Sequence, residues 1–127
     1  MKKRKTTEDY LKTIYSLSGK GTVHGYQIAE QLRVSRPTVS NSLKSLALAG
    51  YLYVDELKNI HLTDMGLALA QRTQDRYRII KELLMDLGVD PKTAVMDACE
   101  MEHAMGQDSF DALKALVQKR RKIRTEG

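Results

Sequence analysis

Three observations predict a mostly α-helical fold with an N-terminal winged helix–turn–helix domain and a C-terminal helical domain. Apolar residues recur at helical spacing in successive segments bounded by capping residues, Gly and Pro. Two short β-type runs, Tyr51–Val54 and Asn59–Leu62, interrupt them around the charged tetrad Asp55–Lys58, which reads as a hairpin. Aromatic residues make up only 6% of the chain and Trp is absent, so Leu, Ala, Ile and Met build the core, a composition that favours helices. At 127 residues, 42% apolar and 29% charged, the chain fits one compact unit or two small ones and is neither disordered nor collagen-like.

The first helix is expected over Thr7–Leu17, with Thr6-x-x-Asp9 as a capping box and Leu11, Ile14, Tyr15 and Ser18 on one face beside Tyr10. A loop over Ser18–Thr22 ends it. A short helix follows from Gly25 to Leu32, facing inward with Ile28, Ala29 and Leu32. Ser35 suits the N-cap of the next helix and Pro37 its first turn; Val39, Leu43, Leu46 and Ala47 are its expected buried face, and Gly50 its C′ residue. After the hairpin, Thr63 caps a long helix from Asp64 to about Asp86 that stops near Gly88. Asp90-Pro91 starts another that reaches about Met105. A last helix runs from about Asp108 into the basic tail. The compositional break near residue 64 divides the chain into domains 1–63 and 64–127.

Residues 1–44 carry nine Lys/Arg against three Asp/Glu, whereas residues 82–111 carry one Lys against eight acids. A basic front suits a polyanion and an acidic segment suits a cation, although both patterns also occur as ordinary solvated charge. The longest uncharged stretch, Ser45–Val54, is ten residues, half of the ~20 needed to cross a bilayer. The basic start Lys2-Lys3-Arg4-Lys5 is followed by Glu8, Asp9 and Lys12 instead of an apolar run, so a cytoplasmic protein without membrane association is expected. The single cysteine, Cys99, excludes an internal disulfide framework.

In the front half, two short helices joined by Arg33-Val34-Ser35 and followed by a hairpin form a winged helix–turn–helix pattern, whose second helix enters the major groove of double-stranded DNA. Ala29 lets the helices approach, Val34 is expected to plug the turn, and Val39 and Leu43 anchor the reading helix. Arg36, Thr38, Ser40, Asn41 and Lys44 then face outward, with Ser35 and Pro37 at the helix start. Arg and Asn suit bidentate contacts to guanine and adenine; Ser, Thr and Lys suit phosphates. The bland alternative is a structural module or protein-binding surface. His24 and His61 are isolated and read as structural.

In the rear half, Cys99, Glu102 and His103 stand at i, i+3 and i+4 and share one helix face. Thiolate, carboxylate and imidazole can hold one first-row divalent metal, with a further ligand supplied from elsewhere. The competing reading is a half-buried Cys beside two surface residues. There is no H-E-x-x-H zinc-hydrolase spacing, no Ser/His/Asp set, no Gly-rich phosphate loop and no paired catalytic carboxylates, so an enzyme is not expected.

Thr6-Thr7-Glu8-Asp9-Tyr10-Leu11-Lys12-Thr13-Ile14-Tyr15, the helix–turn–helix with Pro37-Thr38-Val39-Ser40, Leu62-Thr63-x-x-Gly66 and Asp97-Ala98-Cys99-x-x-Glu102-His103 occur in this order. Together they resemble the diphtheria toxin repressor family of iron- and manganese-dependent repressors, from Thr6 to about Val117. In extent the chain is similar to the two-domain manganese-type members. The resemblance implies a homodimer built from the rear half that binds a palindromic operator when metal is present. It also implies Asp9, Cys99, Glu102 and His103 as ligands of Fe²⁺ or Mn²⁺, with Zn²⁺ open to the same mixed set. The chain departs from the family at Lys12 and Tyr77, where the manganese branch has Glu and His ligands. It departs again at Tyr77, Lys81 and Val95, where the iron branch has an ancillary site. One metal site is therefore implied, not two. The expected function is a metal-dependent transcriptional repressor of metal homeostasis. The rivals are a winged-helix regulator that has lost metal dependence and answers to another ligand or to Cys99 oxidation, and a metal-binding scaffold whose basic half serves a protein. The apolar stripe Ile79, Ile80, Leu83, Leu84 and Leu87 is the expected dimer face.

Overall fold

The computed structural model describes the backbone over residues 2–126 and side chains over residues 5–125. Among these it contains six helices and one two-stranded sheet: α1 (Lys2–Ser18), α2 (Gly25–Leu32), α3 (Arg36–Leu48), β1 (Leu52–Val54), β2 (Ile60–Leu62), α4 (Asp64–Asp86), α5 (Pro91–Ala104) and α6 (Gln107–Glu126). No helix among the described residues is long and apolar enough to cross a membrane. The chain forms two compact units, Met1–Arg72 and Thr73–Gly127, with the division inside α4. The first turns of α4 belong with the winged unit because Ala70 is fully buried in that unit's core and Leu69 packs against it.

The winged unit is organised by local stop signals. Helix α1 begins before Thr7, so Thr6 lies within the helix and does not cap it; the preceding Lys and Arg are good helix formers and extend the first turn backwards. Helix α2 is capped at His24, whose backbone N–H donates to Gln27 Oε1 at 2.8 Å. It ends on Arg33, held left-handed at φ 56, and the Val34 N–H returns to the Ala29 carbonyl at 3.1 Å. That turn leaves Val34 37% exposed, so it does not plug the junction; Ile28 and Val39, at 0% and 1%, fill the space beneath.

Helix α3 closes with a Schellman arrangement: Gly50 N–H bonds Ala47 O and Tyr51 N–H bonds Leu46 O, both at 3.0 Å, with Gly50 at φ 89. Val39 and Leu46 are buried and Leu43 packs against the core, whereas Ala47 is exposed and lines the groove between α3 and the hairpin. Strands β1 and β2 pair antiparallel in the register Leu52↔Leu62, Tyr53↔His61, Val54↔Ile60, so Leu52 and Ile60 point into the core.

The hairpin is anchored at its base. Thr63 Oγ1 donates to the Gly50 carbonyl at 2.6 Å and accepts the Gly66 N–H at 3.2 Å. Thr63 N–H bonds Tyr51 O at 3.0 Å. A side chain at Gly66 would drive its Cβ into the Tyr51 carbonyl, so only glycine permits this crossing. At the tip, Asp55 Oδ1 accepts the Leu57 and Asn59 N–H groups, each at 2.9 Å, and Asp55 Oδ2 bonds His61 Nε2 at 2.8 Å. The His61 imidazole, helped by the Asn59 amide, holds the Asp55 carboxyl below the usual carboxylate range.

The second unit packs α4, α5 and α6 around a small apolar cluster of Ile79, Leu83, Phe110 and Val117. Two residues of the expected dimer stripe thus face inward, and Ile80 is buried as well at 1% exposure. Only Leu87, at 63%, projects fully to solvent, because α6 returns along α4 and covers the rest. Gly88, at φ 97, ends α4 with Gly88 N–H on Met85 O and Val89 N–H on Leu84 O, both 3.0 Å.

Candidate DNA-reading face and metal ligands

In the winged unit, α2, the Arg33 turn and α3 place the expected reading residues on one solvent-facing helix. Ser35, Arg36, Pro37, Thr38, Ser40, Asn41 and Lys44 are all exposed, with Val39 between them turned into the core. Ser35 and Thr38 also have structural work: Ser35 Oγ accepts the Thr38 N–H at 3.2 Å and shares a 2.7 Å bond with the Thr38 hydroxyl. This cap fixes the start of α3 and therefore where Arg36 and Asn41 point.

A cavity of about 700 Å³ opens between α3 and the hairpin, with Arg36, Lys44 and Lys58 in its lining beside His24 and Tyr26. Three cations from the reading helix and the hairpin tip thus border one groove, a surface suited to a polyanionic backbone. Sequence reading passed over Lys58. Its signal was its place in a charged tip, but its direction depends on its left-handed φ of 67 and on its N–H bonding Asp55 O at 3.0 Å. His61 and His24 take the structural roles expected of them, as the partner of Asp55 and the cap of α2.

In the second unit, α5 starts at Asp90, whose carboxylate accepts the Thr93 N–H at 3.1 Å and the Thr93 hydroxyl at 2.7 Å. Pro91 follows in the first turn. The other end of α5 is held by Arg76, which is 2% exposed. Its Nη1 donates to the carbonyls of Glu102 (3.3 Å) and Met105 (2.7 Å), and its Nη2 to Gln107 Oε1 at 3.0 Å. Its guanidinium also lies 5.2 Å from the centre of the Phe110 ring. A buried cation on the last carbonyls of a helix complements the negative end of the dipole. Nothing in the spacing of residues 72–78 marked Arg76 as the buried one of its three arginines.

Arg76 thereby fixes the turn that presents Glu102 and His103. Both side chains are buried, at 0% and 6% exposure, with Glu102 Oε1 and His103 Nε2 3.2 Å apart. Cys99, one turn earlier, is half-buried, and among the described residues it does not join the ligand-type atoms grouped at Glu102 and His103. A carboxylate oxygen and an imidazole nitrogen converging in a buried site suit a first-row divalent ion. Asp9 is half-buried on α1 of the winged unit. Tyr77 and Lys81 hold no ligand pair; Lys81 Nζ sits 5.5 Å over the Tyr77 ring as a cation–π contact, and Val95 is at the surface.

Comparison with known proteins matches residues 4–60 to the N-terminal DNA binding domain of iron dependent repressors. Residues 63–123 match the metal binding and dimerisation domain of the same family. The transcriptional regulator MntR of Salmonella typhimurium is 36% identical over 117 residues, covering 91% of this chain and 74% of that protein. The iron-dependent repressor IdeR of Mycobacterium tuberculosis is 38% identical over 105 residues, covering 81% of this chain and 46% of the relative. Among solved structures, the manganese regulator SloR superposes with a TM-score of 0.78 at 31% identity, covering 88% of this chain and 53% of that one. The chain spans about three quarters of the length of MntR and about half that of IdeR and SloR.

Proposed function

The chain belongs to the iron-dependent repressor family, metal-dependent DNA-binding transcriptional repressors and not enzymes, and from that premise we propose that it is a cytoplasmic, homodimeric repressor of metal homeostasis that binds a palindromic operator when loaded with Mn²⁺ or Fe²⁺. Residues 1–63 would read DNA through Ser35, Arg36, Pro37, Thr38, Ser40, Asn41 and Lys44. Residues 64–127 would dimerise and hold the metal. The observation that carries the reading is the buried Glu102–His103 pair, whose oxygen and nitrogen donors fit a divalent ion.

Asp9, Cys99, Glu102 and His103 are the proposed ligands. The ion supplies positive charge and a fixed set of ligand directions; Glu102 and His103 supply donors already held by the Arg76-bound end of α5. Zn²⁺ remains open to the same donors. Binding needs an imidazole and a thiol that have lost their protons, so affinity falls as pH drops. With Ile79, Ile80 and Leu83 turned inward, the surface left for a second copy is the exposed apolar set that includes Leu87, Met96 and Leu116. A two-fold pair of winged units matches half-sites about one DNA turn apart, and metal and operator then favour each other reciprocally.

Titrating anaerobically purified protein with Mn²⁺ and Fe²⁺, then measuring operator binding by fluorescence anisotropy, tests the reading. Glu102→Gln and His103→Ala should each remove most of the metal dependence. Lys12→Glu restores the acid of the manganese branch and should tighten Mn²⁺ most, since Mn²⁺ prefers oxygen ligands. Metal-independent operator binding would favour a regulator that has lost its metal. On the DNA side, Asn41→Ala should relax discrimination at one base pair by about 1–3 kcal/mol. Lys44→Ala should weaken all sequences alike and reduce the salt slope by about 0.9.

A further inference from the structure

Among the described residues, only two left-handed positions are not glycine: Arg33 at φ 56 and Lys58 at φ 67. Both are exposed cations of the winged unit. A side chain in that region crowds its own backbone, a strain that glycine avoids. Arg33 uses the conformation to end α2. Lys58 sits in the hairpin tip, where glycine or asparagine is the usual left-handed residue. Among the described residues its ammonium makes no hydrogen bond or ion pair, so no bond from the side chain offsets the strain. Lys58 instead lines the groove between α3 and the hairpin together with Arg36 and Lys44.

Asp55 imposes the strained conformation. Its Oδ1 accepts the N–H groups of Leu57 and Asn59, the two neighbours of Lys58, each at 2.9 Å. Its carbonyl accepts the Lys58 N–H at 3.0 Å, and its own N–H donates to the Asn59 carbonyl at 2.9 Å. His61 Nε2 holds the other carboxylate oxygen at 2.8 Å. Residues 57, 58 and 59 are thus all bonded to Asp55. Glu56, the second acid of the tip, is exposed and takes no part in these bonds.

We propose that Lys58 is a DNA-backbone contact of the hairpin and that Asp55 is the residue that positions it, an inference that rests on α3 being the DNA-reading helix. A phosphate strand lying along the groove meets Arg36 and Lys44 from α3 on one side and Lys58 from the hairpin on the other. A compact ammonium on a flexible stem suits a phosphate and reads no base. Asp55 brings a negative charge toward those phosphates, which by itself opposes binding; its bonds to the tip outweigh that repulsion by aiming Lys58. Asp55 and Glu56 carry the same charge, but only Asp55 holds the turn. Removing one or the other therefore moves DNA affinity in opposite directions.

Anisotropy of a fluorescein-labelled, mixed-sequence duplex of about 30 base pairs, titrated with the full chain in excess Mn²⁺ over a salt series, tests the assignment. Lys58→Gly should weaken binding severalfold near about 0.1 M salt and cut the slope of log K against log salt by about 0.9. Its Tm should rise, because the strain is gone. Lys58→Arg should keep both affinity and slope. Asp55→Ala should weaken binding although it removes a negative charge, whereas Glu56→Ala should strengthen it. In the Lys58→Gly background, Asp55→Ala should no longer weaken binding. An unchanged slope or a lowered Tm in Lys58→Gly would overturn the contact, the lowered Tm by showing that the side chain supports the fold. Tighter binding by Asp55→Ala would overturn the positioning role. Lys58→Gly and Glu56→Ala keep the test valid if Asp55→Ala fails to fold. Lys44→Ala separates the two readings: a slope reduced by Lys44→Ala but not by Lys58→Gly removes the hairpin contact alone, and a slope reduced by neither removes the α3 reading as well.

Discussion

The two units reach stability by different means. The winged unit has an apolar core of eleven buried residues drawn from α1, the loop before α2, α2, α3, both strands and α4, and the ends of its helices are fixed by caps and glycine turns. The second unit has a cluster of four, and much of its cohesion is ionic. Arg121 and Arg124 of α6 pair with Glu82 of α4, Arg124 also bonds Asp86 at 2.9 Å, and Lys114 meets Asp75 at 3.1 Å. Its interior holds Arg76, Glu102 and His103. Hydrophobic burial is indifferent to pH, whereas paired charge depends on protonation and salt. The cohesion of the second unit is therefore conditional on pH and salt, whereas in the winged unit the described pH-sensitive pair, Asp55 with His61, sits at the hairpin tip outside the apolar core.

The strongest way to break this contrast is Arg76→Met. It leaves the carbonyls at the end of α5 without their donor and should cost at least about 3 kcal/mol. Hydrogen exchange should show the loss across α5 and α6 and not across α2 and α3; uniform loss would mean the units unfold as one. Gly66→Ala is the mirror experiment. The clash with Tyr51 should cost about 3 kcal/mol, the upper end of overpacking, with exchange rising in the winged unit first. Metal comes next: at a hundredfold excess over Kd it should add roughly 2.7 kcal/mol, and Glu102→Gln should abolish that gain while leaving the apo Tm of the winged unit unmoved.

Acid should discriminate the units more gently. The Arg121 hydrogen bond holds the Glu82 carboxyl below the ordinary glutamate range. Its contribution is thus complete above the unfolded-state pKa and is lost as pH falls through the lowered folded value. Helicity of α6 should drop in that acid window and Glu82→Gln should flatten the response. High salt should reproduce part of the effect, because these groups are partly exposed and screened. The smallest expected change is Ser35→Ala, about 1 kcal/mol from a lost cap, read as a lower Tm of the winged unit with the acid response unaltered.

What was legible in the sequence follows the same division. Ser35, Gly50, Gly88 and Asp90 act through bonds to residues a few positions away, Thr63 caps α4 by accepting the Gly66 N–H, and Pro37 sits in the first turn of α3, so each does in the structure what its local chemistry implies. Residues whose fate depends on distant elements were harder to read. Thr6 lost its cap to a helix that extends further back, Val34 yielded the turn to Ile28 and Val39, and Ile79 and Leu83 were taken inward by α6. On α5, i, i+3, i+4 spacing placed three ligand types on one face; in the structure Glu102 and His103 are buried and Cys99 is half-buried. Periodicity gives the face of a helix, not how deeply each position on it is buried. Arg76 shows the limit: a charged side chain nine-tenths buried has no signature until its acceptors are known.

The knot of Gly50, Tyr51, Thr63 and Gly66 has a consequence for how this hairpin can vary. Both chain ends of the loop are fastened at their root by the Thr63 bonds and the close crossing at Gly66, while the tip depends on a single carboxylate, Asp55, and its neighbours. Extra residues spliced between positions 56 and 57 should lengthen the finger without shifting strand register, and a foreign tip should graft there at little cost to folding. One residue inserted between Gly50 and Leu52 would pull Tyr51 off Gly66 and turn Leu52 out of the core. The molecule thus offers an interchangeable fingertip on an immovable knuckle.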